Sequence, residues 1–297
     1  MSYAIGVDLG GTRIKLIVVS PDGAVITKKI DQTADVGDAS WADKIKKMIS
    51  EAEREQGKTA GAVGLAAPGL AARNFRSIIS MPGRLEGLEH LDWTEFLGRE
   101  KISTMLNDAH AALIGEHWLG AARNYDDAIL LTLGTGVGGA ILSNGKLMTG
   151  HIGRAGHLGH ICLDKSGEPD NVNTPGSIES MIGEHSIPQR TRGLFPSSKK
   201  LVEAHLAGHK RATEIWLESV HALACAITSF VNILDPEAVI VGGGIAQADD
   251  ALFKPLAKYM GEMEWRPDGH KVKILPAELN DWAGAFGAAR FAMTFEQ

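Results

Sequence analysis

AIGVDLGGTRIKLIVVSPDGAV, from Ala4 to Val25, reads as an apolar run, a Gly-rich turn, a second apolar run and a Pro21-Asp22-Gly23 turn. Two strand-like runs joined by glycines predict a β-hairpin. The same device returns as AILLTLGTGVGGAILSNGKL, Ala128 to Leu147, closed by Ser143-Asn144-Gly145. Glycines at a hairpin tip let successive N–H groups point one way and form a concave anion site. Two such tips in duplicated halves predict two jaws closing on a polyphosphate. Gly134-Thr135-Gly136-Val137-Gly138-Gly139 also matches G-x-G-x-x-G. A dinucleotide-binding turn must open a helix, however. Here it is followed by Ala140-Ile141-Leu142 and a Ser-Asn-Gly turn, which is short and β-like. The Walker A lysine pattern is absent.

The length of 297 residues fits one large domain or two ordinary ones, and 44% apolar residues suffice for real cores. The 35 glycines suit an α/β enzyme with many tight turns, since no low-complexity tract accounts for them. The net charge of −6 and pI near 6.0, with no basic stripe, argue against a nucleic-acid partner. An anionic nucleotide would then be held by local N–H groups and a metal ion. Cys162 and Cys225 make no disulfide scaffold, which fits a reducing cytoplasm. The N-terminus enters a strand directly, so no signal peptide is expected. No apolar run reaches 18 residues, so no membrane span is expected.

Residues 3–30 read as three strands. Trp41–Glu55 reads as a helix, because Trp41, Ile45, Met48, Ile49 and Ala52 share a face, and Gly57 caps it. Ala62–Ala67 is a buried strand stopped by Pro68-Gly69, and Lys101–Leu106 is another. Asn107-Asp108 opens a helix, Ala109–Leu119, that ends at Gly120. Residues 143–175 are loop-rich and carry His151, His157 and His160. Three helical stretches follow, the longest Lys210–Leu234. Ala238–Val241 is a strand running into Gly242-Gly243-Gly244. A helix Ala248–Met260, a strand Val272–Leu275 and an Ala/Gly-rich helix Trp282–Phe295 complete the chain. Strands precede helices in both halves, so the class is α/β. The division expected is a small domain of residues 1–119 plus 283–297 and a large one of 120–282.

Asp8 ends the strand before the first tip. A carboxylate beside a phosphate cradle repels phosphate unless a cation intervenes. Mg²⁺ takes one or two carboxylates with waters and phosphate oxygens, so Asp8 is a candidate anchor, directly or through water. Thr12 can add N–H and hydroxyl donors, and Arg13 or Lys15 positive charge. Asp108 suits a helix cap, but strand ends in α/β sheets are also where sites are built. There it could accept the proton of a substrate hydroxyl attacking phosphorus, with Asn107 bonding the same substrate.

Val7-Asp8-Leu9-Gly10-Gly11-Thr12 resembles the first phosphate motif of the actin/hexokinase/Hsp70 ATPase superfamily. Leu133 to Ala140 resembles the second. Asn107-Asp108-Ala109-His110-Ala111-Ala112 is similar to the Asn-Asp-Ala-Asn-Ala-Ala segment of the ROK sugar kinases. Asn232 to Gly244 resembles their nucleoside-contacting segment, and Trp282 to Ala289 their closing helix. The resemblance implies two ribonuclease-H-like (actin-like ATPase) domains with a cleft between them, and transfer of the ATP γ-phosphate to a sugar hydroxyl. It makes Asp108 the base and gives the phosphates to Gly10, Gly11, Thr12 and Lys15, and to Gly134, Thr135, Gly136 and Gly138. It also sets Gly243 and Gly244 against the adenosine. Gly69, Asn107, His157, His160 and Glu179 are the sugar-side candidates. ATP and Mg²⁺ are the implied cofactors, and a homodimer is compatible with the reading.

Two departures stand out. The family's Glu-x-Gly-His reads His157-Leu158-Gly159-His160 here, so His157 replaces the acid. It either contacts substrate or merely lines the loop. The family's three zinc cysteines align with Asp170, Val172 and Ser177, so no thiolate remains and no zinc site is expected. The resemblance implies a hexose or hexose derivative as the sugar, with glucokinase-, fructokinase- and N-acetylhexosamine kinase-like activities all open. Two alternatives belong to other classes. A silent sugar-binding protein is disfavoured by the intact Asp108 and hairpins. A ROK-type sugar-responsive regulator needs a winged-helix module before the first Gly motif, and Asp8 is eight residues from the start.

Overall fold

The computed structural model describes residues 2–81 and 83–295. In chain order the strands are β1 (Ala4–Leu9), β2 (Arg13–Val19), β3 (Val25–Gln32), β4 (Ala62–Ala67), β5 (Leu70–Ala71), β6 (Ile78–Ser80), β7 (Thr104–Asn107), β8 (Ala128–Leu133), β9 (Val137–Ser143), β10 (Lys146–Leu147), β11 (Ala238–Gly242) and β12 (Lys273–Pro276). The helices are α1 (Ser40–Gln56), α2 (Trp93–Leu97), α3 (Asp108–Leu119), α4 (Ile178–Ile182), α5 (Ile187–Arg190), α6 (Ser198–Leu206), α7 (Lys210–Leu234), α8 (Asp250–Met263) and α9 (Ala283–Thr294).

The chain forms two compact units. One holds residues 1–124, 147–156 and 278–297; the other holds 125–146 and 157–277. Each contains a five-stranded sheet, ordered β3-β2-β1-β4-β7 in the first and β10-β9-β8-β11-β12 in the second. The orders are the same topology repeated. A hairpin, β1-β2 or β8-β9, is antiparallel, and the later strands β4 and β11 join it in parallel. The first unit differs from the expected one in its edges. Residues 147–156 belong with it, and His110 on α3 helps hold them through its Nε2, 2.9 Å from the Ala155 carbonyl.

In the first unit both faces of the sheet are covered. Ile5, Val7 and Leu9 pack with Trp41, Ile45 and Ile49 of α1. Ala4, Ile17 and Val19 pack with Ala285, Phe286 and Ala289 of α9. Alternation along β1 serves both cores at once, which is why the strand reads as almost continuously apolar. The glycines have a packing reason here. A Cβ on Gly6 or Gly64 would fall onto the α9 carbonyls of Ala285 and Ala288. One on Gly287 would meet the Ala111 carbonyl of α3. The closing helix therefore nests against strands and helix with backbone touching backbone. Buried Glu116 locks the approach to α9 by accepting from the N–H groups of Ala121, Glu278 and Leu279.

In the second unit α7 carries the apolar spine and packs on α4, α6 and α8. By length and composition α7 could cross a membrane, but Ile215, Leu223, Ile227 and Phe230 are core residues. Several expectations shift locally. Four helices, not three, lie between residues 178 and 234, and the strand predicted at Lys101 begins at Thr104. The helix predicted at Ala248 begins at Asp250, after a single tight turn from Ile245 to Ala248. The unread stretch 70–97 holds the β5–β6 ribbon and α2.

Candidate active site

In both hairpins the N–H of the first glycine closes the tip, onto a carbonyl three residues on in the first and two residues on in the second. The Gly10 N–H closes the first turn onto the Arg13 carbonyl at 3.0 Å, and the Gly134 N–H closes the second onto the Gly136 carbonyl at 2.9 Å. Gly10 and Gly134 therefore shape the tips, and their own N–H groups are spent. This corrects their expected role as phosphate donors. Among the described residues, the N–H groups of Gly11 and Thr12, and of Thr135 and Gly136, make no hydrogen bond within the protein. Two adjacent bare donors on each tip are a backbone anion cradle. Thr33 secures the first tip by donating its hydroxyl to the Gly10 carbonyl at 2.6 Å. Gly138 lies within β9, opposite Thr132.

Asp8 is the next-to-last residue of β1, opposite Lys15. The Lys15 ammonium lies 3.6 Å from the Asp8 carboxylate and donates to the Asp281 carbonyl at 2.6 Å. Lys15 is thus held by carboxyl and carbonyl groups of its own unit. Arg13, on the same strand face, pairs with Asp281 at 3.1 Å, which settles where that face points. Asp281 carried no signal in the sequence. Burial pushes the Asp8 carboxyl up to about 6; Lys15 pulls it down, while Asp108 and Asp281 add to the rise. A carboxylate that is hard to ionise alone, with a second carboxylate near, is what a divalent cation relieves. Asp8 is therefore the residue that would hold Mg²⁺.

Asn107 caps α3. Its Oδ1 accepts from the N–H groups of Ala109 (2.9 Å) and His110 (3.2 Å), and its amide donates to the Gly69 carbonyl at 3.0 Å. Gly69 has φ +103°, and a Cβ there would press on the Ser80 carbonyl at 2.5 Å, so glycine is required. The cap and the Gly69 contact together fix Asp108 at the first turn of α3. Asp108 is open to solvent, yet the protein around its carboxyl raises its pKa, against the opposing pull of the Ala109 N–H and the Asn107 side chain.

In the second unit buried Glu179 sits under the second tip. Its Oε2 accepts from the Val137 N–H at 2.9 Å, and a Cβ on Gly136 would strike its carboxylate. One oxygen is thereby committed to the hairpin and the other remains for a ligand. His160 Nδ1 lies 2.9 Å from Oδ2 of Asp170, whose side chain is fully buried. Oδ1 of Asp170 accepts from the N–H groups of Val172 (3.0 Å) and Thr174 (2.9 Å). Burial pushes the Asp170 carboxyl up, but the bonds from His160, Thr174, Ser177 and Val172 outweigh it and hold its pKa below the ordinary range. An ionised carboxylate only accepts, so Nδ1 of His160 carries the hydrogen. His157 is half-buried just before the single helical turn Leu158–His160. Gly243, at φ +88°, abuts the Leu133 backbone, while Gly244 faces open space. The end of β11 thus lies beside the root of the second tip.

The ROK family profile matches residues 4–294. The chain belongs to the ROK family. It is 31% identical to the glucokinase of Thermotoga maritima, over 96% of this chain and 95% of that one. It is 27% identical to the N-acetylmannosamine kinase of Escherichia coli O157:H7, over 97% of each. It superposes on a Streptomyces griseus ROK family glucokinase in complex with glucose and AMPPNP, with TM-score 0.81 and 27% identity over 99% of this chain and all of that one. The repeated sheets of this ROK protein are accordingly the two actin-like ATPase domains that the resemblance of its motifs implies.

Proposed function

We propose that the protein transfers the γ-phosphoryl group of ATP to a hydroxyl of a hexose or hexose derivative, with Asp108 as the base. The enzyme is an ATP-dependent carbohydrate kinase. The observation that carries the reading is the pair of bare N–H groups on each of two duplicated tips. A single cradle suits any anion; two matching ones suit a chain of phosphates.

The Asp108 carboxylate accepts the hydroxyl proton as the sugar oxygen bonds to phosphorus and the bond to the ADP oxygen breaks. Its raised pKa makes it a better base than an ordinary aspartate, and Asn107 with Gly69 holds it in place. Gly11, Thr12, Thr135 and Gly136 donate to phosphate oxygens, so positioning and charge stabilisation supply most of the acceleration. Asp8 would hold Mg²⁺, which when bound would supply compensating positive charge for the phosphates. His160, with hydrogen on Nδ1, offers Nε2 towards a sugar hydroxyl, and Glu179 offers its second oxygen. His157 stands where relatives of the family carry Glu. A carboxylate accepts two hydroxyl donors, whereas an imidazole offers at most one acceptor or two donors. Recognition on that side of the ring therefore differs from that of Glu-bearing members.

An ATP-consumption assay across hexoses, hexosamines and N-acetylated sugars tests the proposal. At least one sugar should be consumed with ATP, and Asp108→Asn should abolish most of that turnover. No turnover with any of them would overturn it.

A further inference from the structure

Between β6 and α2 the chain makes a tight loop in which Gly83 (φ +81°), Leu85 (φ +53°) and Gly87 (φ +86°) are all left-handed. Leucine enters that region only under compulsion. The compulsion is visible: Leu85 and Leu88 are 2% and 0% exposed in the first unit's core. The Leu85 N–H donates to Asp35 at 3.0 Å, and the Leu88 N–H to the Leu85 carbonyl at 3.0 Å. The loop is therefore clamped at two points, and Arg84 projects from it.

The Arg84 guanidinium lies over the first phosphate tip, so close that a Cβ on Gly11 would fall onto it. Arg84 makes no hydrogen bond or ion pair among the described residues. Arg13, in the same unit, has Asp281 as its partner; Arg84 has no carboxylate partner among the described residues. A guanidinium with no partner among the described residues thus stands against Gly11 on the first tip. Nothing in the base, the cradle or the metal anchor accounts for it.

We propose that Arg84 is a further ligand of the transferring phosphoryl group. The planar fork of N–H donors matches phosphate oxygens. Its charge offsets the negative charge spread over the phosphoryl oxygens in the transition state. No bond to Arg84 forms or breaks. This role rests on the kinase reading above.

Arg84→Ala, Arg84→Lys and Arg84→Gln test it, with thermal unfolding to verify the fold. In Arg84→Ala, kcat should fall about a hundredfold, with KM for the sugar changed less than about threefold. Lysine should restore only part of the rate, and added guanidinium ion should partly rescue the alanine variant. A risen sugar KM with kcat intact would make Arg84 a sugar ligand and overturn the proposal, as would rates within threefold of the unsubstituted protein. Binding gives a second readout that needs no turnover. The unsubstituted protein should bind ADP with aluminium fluoride more tightly than ADP alone, and Arg84→Ala should lose that gain while keeping its affinity for ADP. An equal loss for both ligands, or no gain in the unsubstituted protein, would overturn the assignment. If the unsubstituted protein phosphorylates no sugar, the kinase reading fails, and the fluoride comparison still decides Arg84.

Discussion

Asp170→Asn should weaken the second unit and reverse the polarity of His160. The variant keeps the shape and can keep Oδ1 as acceptor for Val172 and Thr174. It turns an NH₂ towards the Nδ1–H of His160, donor against donor, where the native distance is 2.9 Å. The ring must then move its hydrogen to Nε2. Losing one hydrogen bond to a charged group costs about 1.5–3 kcal/mol, part of which the new tautomer recovers. We expect about 1–2 kcal/mol of destabilisation on that basis. Asp170→Ala removes every acceptor and should cost about 3 kcal/mol, since it leaves the His160, Val172 and Thr174 N–H groups without their partner, moderated because His160 is 24% exposed and water can reach it. The native contribution should depend on pH. The folded pKa of Asp170 is depressed, so the stabilisation is present above the unfolded value, about 3.9. It is lost as pH falls below that through the folded value, and the asparagine variant should lack this acid-side dependence. Urea titrations of the three proteins at neutral and acid pH measure it. Imidazole ¹⁵N shifts report the tautomer, and kcat/KM should fall about tenfold where a sugar hydroxyl meets Nε2. An alanine variant within 1 kcal/mol of the native protein, or an unchanged His160 tautomer in the asparagine variant, would refute the argument.

Asp108→Asn should lower kcat by a factor on the order of 10²–10⁴ while nucleotide binding persists; a rate within about threefold of native would place the base elsewhere. Because the Asp108 pKa is raised and the base acts ionised, kcat/KM should fall with falling pH at a value above the ordinary aspartate range, about 3.9. Transfer should require Mg²⁺ and stop on chelation, while elemental analysis after dialysis should find no stoichiometric zinc. One retained zinc per chain would contradict the argument from Asp170, Val172 and Ser177. On addition of ADP, the amide resonances of Gly11, Thr12, Thr135 and Gly136 should shift most, and those of Gly10 and Gly134 least; the reverse order would sink the two-cradle reading. His157→Glu should change the ranking of kcat/KM among sugars by about tenfold or more, and an unchanged ranking would leave His157 as a loop residue beside the site.

Residues with local signals were legible. Asp108 follows a strand and opens a helix, and glycines between two apolar runs can do little else than turn. The departures at His157 and Asp170 could also be seen, since they are defined against a motif. Arg84, Asp281 and Glu116 were not. Each acts across a long stretch of chain, on Gly11, on Arg13 with Lys15, and on Leu279 respectively. No periodicity or spacing encodes such a meeting. The clamped loop around Arg84 was opaque for a further reason: Leu85 adopts a left-handed backbone against its own propensity, because burial outweighs it.

The sequence by itself determined the two hairpins, the strands that follow them and the place of Asp108 where a strand meets a helix. These rest on interactions within a few residues, namely alternation, turn chemistry and capping, which any chain with that pattern satisfies. Only the tertiary structure decided which N–H groups on each tip are bare, because a donor is spent or spared by the carbonyl the turn brings to it. It alone turned Lys15 onto Asp8 and Asp281, committed one oxygen of Glu179 to Val137, and let buried Asp170 orient His160. In each case a polar group removed from water must find a partner, and the nearest partner is set by the packing of distant segments.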